Sequence, residues 1–489
     1  MSLKHQAIKG TIWSAVEKFS FLGAQFLLQI ILARLLTPQD YGIIGILVVF
    51  LAIANTFIDC GFTSALVQNQ KRTEIDFSTA FYFNIFIAVI FYGILFVLSP
   101  YIASFYKLPI LTSVTRVLAL SLPISALVAV NRAKLQIAVD FKTQTKASLS
   151  AVILSGIIGI WLAYKGFGVW ALVAQAILGN IFNVILLFYF VRWLPLLQFS
   201  LSSFRKMFGF GSKLLLSNLL DTLYTNMYPL VIGKFFSTAE LGLYSRAFHF
   251  ANLPSNISTS IVSRVTFPIL SQIQDDKPKL FAVYKQYLAV ACAIYAPIIL
   301  GICAIAKPLI LVLIGAKWQG TIVLLRILCI ACAFDCITSV NLNLLYVKGY
   351  THLVLKLNVI KKTIAFVILV IFLQFGLQGL CYGQILYAQI AVFLNTYYTE
   401  KILGLSYTDQ MKDVLPIYLV ATFSALCAFF ITCFFTNYWL QLISAISIAG
   451  IIYVLLAYLF KFAIWQEGME LLYKTNLFHR KSTGDNRIC

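Results

Sequence analysis

Acidic residues are scarce in this chain. Its 489 residues hold 17 Asp and Glu against 37 Lys and Arg, and only four His. Charged residues reach 11% of the chain, less than half of the roughly 25% usual in soluble domains, so a water-exposed globular surface is excluded. No HExxH, P-loop, nucleophile elbow or DxD motif occurs, and no catalytic constellation stands out. The ten Cys fall almost entirely in apolar runs, and Cys329, Cys332 and Cys336 share one helical face without a His beside them. They read as small packing residues rather than a disulfide framework or a metal site.

What is present is apolar sequence. Hydrophobic residues make up 61% of the chain. They lie in runs of about 20 residues, the length that crosses a bilayer as a helix. The runs are continuous rather than alternating, which excludes a transmembrane β-barrel. The fold class is therefore an all-α polytopic membrane protein, of about fourteen spans near 10–36, 40–66, 77–99, 111–131, 146–165, 168–191, 207–235, 240–266, 281–306, 319–346, 354–375, 377–400, 413–435 and 438–462. The formal charge of +20 gathers in alternate loops. This pattern places both termini in the cytoplasm by the positive-inside rule and does not point to nucleic acid. The N-terminal run is too long for a cleaved signal peptide and reads as a retained first helix.

One short stretch organises the rest. Arg34-Leu35-Leu36-Thr37-Pro38-Gln39-Asp40-Tyr41-Gly42 lies between two apolar runs. Thr37 is a helix cap, Pro38 suits the first helical position, and Asp40 sits where a carboxylate reaches back to free N–H groups. The pattern returns 200 residues later as Lys234-Phe235-Phe236-Ser237-Thr238-Ala239-Glu240-Leu241-Gly242. Base, cap, acid and glycine recur in register at Arg34 and Lys234, Thr37 and Ser237, Asp40 and Glu240, Gly42 and Gly242. Convergent capping would produce such turns singly. It would not align the flanks, where Lys18 matches Asn218 and Gln25 matches Thr225 at the same shift. Gly168 to Leu172 and Gly376 to Leu380 form a weaker repeat at a shift of 208. Two related halves point to a transporter. We read residues 1–205 as an N-terminal six-helix lobe and 206–400 as a second. An extra helix pair at 401–465 and a cytoplasmic tail at 466–489 follow.

Ionisable and amide side chains inside spans are costly and commonly face a protein interior or a wet cavity. Lys18, Gln25, Asp59, Arg116, Asn218, Asp221, Arg246, His249, Asn252, Asn256, Arg326 and Asp335 are the candidate lining of a central cavity between the lobes. Ser260, Ser263 and Arg264 continue the stripe that begins at Arg246. Cations there suit a phosphate or pyrophosphate, and amides suit sugar hydroxyls. Glu17, Lys18, Arg116, Arg264 and Lys362 have the alternative of snorkelling to an interface.

Ala33 to Gly45, Gly61 to Gln68, Asp140 to Lys142 and Gly166 to Gln175 resemble segments of bacterial polysaccharide exporters of the Wzx flippase type. These belong to the multidrug/oligosaccharidyl-lipid/polysaccharide superfamily, and the likeness is to the colanic- and teichuronic-acid exporter branch. The resemblance implies fourteen helices in two lobes around a cavity in a bacterial inner membrane. It implies flipping of an undecaprenyl-diphosphate-linked oligosaccharide for surface polysaccharide synthesis by alternating access. No catalysis or bound cofactor is implied. A proton or sodium gradient is the candidate energy source, and a polysaccharide polymerase the candidate partner. A multidrug or lipid II exporter of the same superfamily is the nearer alternative. A membrane polymerase is more distant, because no large loop domain is present.

Overall fold

A computed structural model describes residues 20–460; the side chains of 210, 213, 257–265, 268 and 351 fall outside that description. Among the described residues every regular element is helical. Two compact units divide at Ser245 and Arg246.

The first unit begins with α1 (Ser20–Leu35), α2 (Pro38–Asp59), α3 (Phe62–Gln68) and α4 (Glu74–Tyr106). It continues with α5 (Ile110–Leu118), α6 (Ser121–Ile137), α7 (Phe141–Tyr164), α8 (Val169–Val191), α9 (Leu201–Thr225) and α10 (Met227–Phe235). The start of α11 (Thr238–Gln272) completes it, and the rest of α11 opens the second unit. There follow α12 (Lys277–Ala304), α13 (Ala306–Leu313), α14 (Thr321–Cys332), α15 (Asp335–Val347), α16 (Thr351–Leu373), α17 (Gly376–Leu403), α18 (Tyr407–Phe434) and α19 (Tyr438–Leu459).

Ten continuous stretches are long and apolar enough to cross a membrane. The expected count of fourteen is not reached on that measure. The shortfall has a physical reason. The spans expected at 207–235, 240–266 and 354–375 are helical, as α9 with α10, α11, and α16, but they carry the polar and charged residues. On α16 these are Lys356, Lys361 and Lys362. The span expected at 10–36 is described only from Ser20, as a shorter apolar helix.

Outward side chains are apolar. Tyr101, Trp161, Leu419, Phe430 and Ile451 are all exposed, in numbers that a water-facing monomer avoids and a hydrocarbon-facing surface requires. This is a multi-pass membrane protein. Inside, small residues let helices approach: Ala147 and Ala133 are fully buried, and Gly156 sits against Leu28 of α1. In the first unit, Phe62, Phe77 and Phe81 pack with Met207. In the second, Val312, Ala428 and Ala445 form one core cluster and Leu345, Val354 and Leu357 another.

Candidate functional site: a glycine-lined seam and a buried polar bundle

The repeated turns fold as capping boxes. The Thr37 N–H donates to Asp40 Oδ2 at 2.9 Å, and the Asp40 N–H donates to Thr37 Oγ1 at 3.3 Å. The second turn matches it: Ser237 N–H to Glu240 Oε2 at 2.9 Å and Glu240 N–H to Ser237 Oγ at 3.2 Å. These pairs satisfy the free N–H groups that begin α2 and α11.

The two turns also touch each other. A Cβ added to Gly42 would lie 1.8 Å from the Thr238 carbonyl oxygen, and one added to Gly242 would lie 1.8 Å from that of Pro38. Thr238 is Pro38 shifted by the repeat, so the contact is reciprocal about a local two-fold axis. Capping boxes alone do not produce it. Thr73 and Asp76 form the same box at the start of α4, yet Ser78 stands where the glycine would be.

From the turns, α2 runs along the α9–α11 segment as a seam of close approaches. A Cβ on Gly45 would be 3.3 Å from Ser245 Oγ, again a residue and its repeat mate. Thr56 and Thr222 share a hydrogen bond of 2.9 Å. At the far end α2 stops at Cys60 and Gly61, with φ of 41° and 69°. There a Cβ on Gly211 would meet the Cys60 carbonyl at 2.1 Å. Only glycine fits such backbone contacts.

Beside the turns an apolar cavity of about 560 Å³ is lined by Phe50, Leu98, Ile102, Tyr106 and Leu230, with Lys234 among them. Lys234 Nζ donates to the Phe105 carbonyl at 2.7 Å and lies 3.7 Å from the centroid of the Phe105 ring. The base of the second turn therefore ties α10 to the end of α4. Arg34, its counterpart, is exposed.

The sequence-derived lining residues have several fates. Lys18 and Glu17, and the side chains of Ser260, Ser263 and Arg264, lie outside the described residues. In the first unit, Gln25 and Asn218 are half-buried, while Asp59 and Asp221 are exposed. Asp59 accepts a hydrogen bond from Thr63 Oγ1 at 2.7 Å. The polar faces of α2 and α9 meet at Thr56 and Thr222. Arg116 has local partners: its Nε donates to Ser99 Oγ at 2.9 Å, and its guanidinium lies 4.3 Å from the Phe96 ring centroid.

In the second unit, Arg246, His249 and Asn252 step along α11, half-buried, to an exposed Asn256. Asn252 Nδ2 donates to the Phe248 carbonyl at 3.0 Å. Ser255 on the same helix donates to Asp335 Oδ2 at 2.8 Å, which brings the stripe to α15. The Arg326 guanidinium stands 5.3 Å from the Phe429 ring centroid.

A further cluster links Lys361 to buried polar residues on four other helices. Tyr284 of α12 donates to Asn341 Oδ1 of α15 at 2.8 Å, and Asn341 Nδ2 donates to Gln410 Oε1 of α18 at 3.2 Å. Thr399 of α17 also donates to Asn341 Oδ1. One turn along α17, Asn395 Oδ1 accepts from Lys361 Nζ of α16 at 3.4 Å. Tyr284, Asn341, Asn395, Thr399 and Gln410 are fully buried and Lys361 is 6% exposed. The available signal was the run of Asn, Gln and Thr inside apolar segments. Polar residues at such positions are expensive and seldom idle.

Two solved structures share this architecture. A structure titled lipid II flippase MurJ, inward closed conformation, matches with a TM-score of 0.74 at 16% identity, covering 93% of this chain and 98% of that one. An inward-facing multidrug resistance MATE family transporter of the MOP superfamily matches with a TM-score of 0.59 at 14% identity, covering 78% and 94%. These likenesses establish the fold. In sequence, the chain is 27% identical over 428 residues to the lipopolysaccharide biosynthesis protein WzxC of Escherichia coli (strain K12), with 86% of each chain covered. It is 25% identical over 362 residues to the teichuronic acid biosynthesis protein TuaB of Bacillus subtilis (strain 168), covering 72% of this chain and 73% of that one. Residues 31–323 match the polysaccharide biosynthesis protein family model, Polysacc_synt_3, and the chain belongs to that family.

Proposed function

We propose that this protein flips an undecaprenyl-diphosphate-linked oligosaccharide across a bacterial inner membrane for surface polysaccharide synthesis. It is a transporter rather than an enzyme, with both termini in the cytoplasm. The observation that carries the reading is the reciprocal contact of the two turns. A seam built from repeat-related glycines can part and close as a unit, which is what alternating access requires of a gate. Lys234 beside an apolar cavity supplies a cation next to hydrocarbon walls, the combination that an isoprenoid diphosphate calls for. The names of the curated relatives, WzxC and TuaB, place them in polysaccharide synthesis, in agreement with this reading. The polar residues of the 1–205 and 206–400 lobes would meet the sugar head group, and a polysaccharide polymerase would receive the product.

The test is reconstitution. Purified protein is placed in liposomes holding undecaprenyl-diphosphate oligosaccharides taken from a glycan-producing bacterium. An impermeant glycosidase then reports lipid that reaches the outer leaflet. Conversion of the protected half only when protein is present supports the reading. No conversion, together with export of a cationic dye, favours a multidrug exporter instead.

A further inference from the structure

Lys361 occupies the middle of a helix that is long enough to span a bilayer. It is the eleventh of the 23 residues of α16, about 15 Å from one end and about 18 Å from the other at a rise of about 1.5 Å per residue. Its side chain is 6% exposed, so it does not snorkel to an interface. The Nζ donates to Asn395 Oδ1 at 3.4 Å, a long contact to a neutral group. Asn395 Nδ2 on the same amide is buried without a hydrogen-bond partner. An ammonium and an amide N–H pair thus share a buried site with more protein donors than acceptors.

Among the described residues, the groups facing Lys361 are neutral or basic. α16 packs against α17 and α15. Its own charged neighbour is Lys362. From α17 the facing group is the neutral Asn395. Tyr397 and Glu400 of that helix are exposed, and Tyr398 packs on the Leu345, Val354 and Leu357 cluster. On α15 the carboxylate, Asp335, accepts from Ser255, and Tyr346 is exposed. The ion pairs Lys134–Glu74 and Lys285–Asp413 do not involve Lys361.

A polar line leads from Lys361 to water. Asn395 lies one turn from Thr399, which donates to Asn341. Asn341 donates to Gln410, and Gln410 is one turn from Asp413 on α18. Asp413 pairs with Lys285 at 2.8 Å, with both side chains 35% exposed. Gln410 Nε2, like Asn395 Nδ2, is buried without a partner. Two unmet donors spaced along one line are positions where water would bind.

We propose that Lys361 is a proton-binding site that couples flipping to a proton gradient, filled and emptied along the Asn395–Thr399–Asn341–Gln410 line. The inference rests on the transport reading given above. An unpaired ammonium at mid-span is costly while the line is dry, and the cost falls when water enters. Conformation and proton occupancy are therefore linked, as a coupling site demands. Protonated, Lys361 donates to Asn395 Oδ1. Neutral, its lone pair accepts from Asn395 Nδ2 after the amide turns over. While protonated, Lys361 disfavours a sodium ion beside it.

Two measurements test this. In the first, wild type and K361M, checked for a single monodisperse species, are titrated in detergent without buffer. Wild type should release up to one proton more per chain than K361M between about pH 6 and pH 10, below the ordinary lysine range. Equal release overturns the site whether or not the protein transports lipid. In the second, the liposome assay is run to steady state under an imposed pH gradient. A gradient of one pH unit sustains up to about tenfold asymmetry of the lipid between leaflets per coupled proton. Wild type should show such asymmetry, reversing when the gradient is reversed. K361R, which keeps its proton, and N395D, which fixes a counter-charge beside Lys361, should end with equal leaflets. Asymmetry retained in either variant, or driven in wild type by sodium instead, overturns the proposal. Failure of wild type to flip any lipid sinks the flippase reading alone, because the titration stands apart from it.

Discussion

Gly42 and Gly242 each lie against the backbone of the other's turn. The carbonyl oxygens of Thr238 and Pro38 come within 1.8 Å of where their Cβ atoms would be. The equality of the two distances is the geometric form of a 200-residue repeat. Two turns with one sequence pattern meet across a local two-fold axis, and glycine is required on both sides.

Substitution at that contact should be severe and non-additive. Gly42→Val or Gly242→Val forces a methyl group into a backbone carbonyl that has no rotamer to change. Overpacking of this kind costs about 1–3 kcal/mol. The double variant should lose less than the sum, because the first change already separates the turns. Gly45→Ala should be mild, since its near neighbour is the Ser245 hydroxyl at 3.3 Å. Thermal unfolding in detergent ranks the four variants.

The two capping boxes should be equivalent. Thr37→Ala and Ser237→Ala each remove the side-chain acceptor for the third helical N–H. The expected loss is about 0.5–2 kcal/mol apiece. Melting temperatures that fall for one and not for the other would contradict the equivalence of the turns.

Arg116 should behave as a packing residue. Its partners are Ser99 and the Phe96 ring, both on α4. Arg116→Ala should lower thermal stability while the folded fraction still flips lipid. Transport lost at full stability would return Arg116 to the substrate cavity that the sequence suggested.

The buried polar bundle should tolerate loss of a hydroxyl better than loss of its centre. Tyr284→Phe deletes one donor to an amide oxygen that Thr399 also serves. Asn341→Leu removes the shared partner of the Tyr284 and Thr399 hydroxyls and the Gln410 amide and leaves them only long contacts, Tyr284 to Gln410 Oε1 at 3.5 Å and Thr399 to the Asn395 carbonyl at 3.4 Å. Poorly satisfied buried groups cost up to about 1–3 kcal/mol each. The leucine variant should therefore show the larger drop in melting temperature.

The sequence carried the helical class, the repeat and the family resemblance, because hydropathy, caps and turn glycines are local signals. The partners of Arg116 were not legible: a basic residue in an apolar run does not announce a serine and a ring 17 and 20 positions earlier. The Tyr284–Asn341–Gln410 cluster draws on helices that are far apart in the chain, and no periodicity within one helix links them. The helix expected at 354–375 is present as α16, but hydropathy and charge leave it out of the span count where Lys356, Lys361 and Lys362 crowd it, because composition alone does not separate a buried lysine from a snorkelling one.

The most direct test of the account is a lock across the seam. Gly45→Cys with Ser245→Cys places two thiols at a position where a Cβ and an Oγ are 3.3 Å apart, within reach of disulfide geometry. The double variant is reconstituted in liposomes with undecaprenyl-diphosphate oligosaccharide and oxidised, and access of an external glycosidase is followed. The account predicts that flipping stops as the cross-link forms and resumes on reduction. Complete cross-linking with flipping undiminished would contradict it, because the seam would then play no part as a gate.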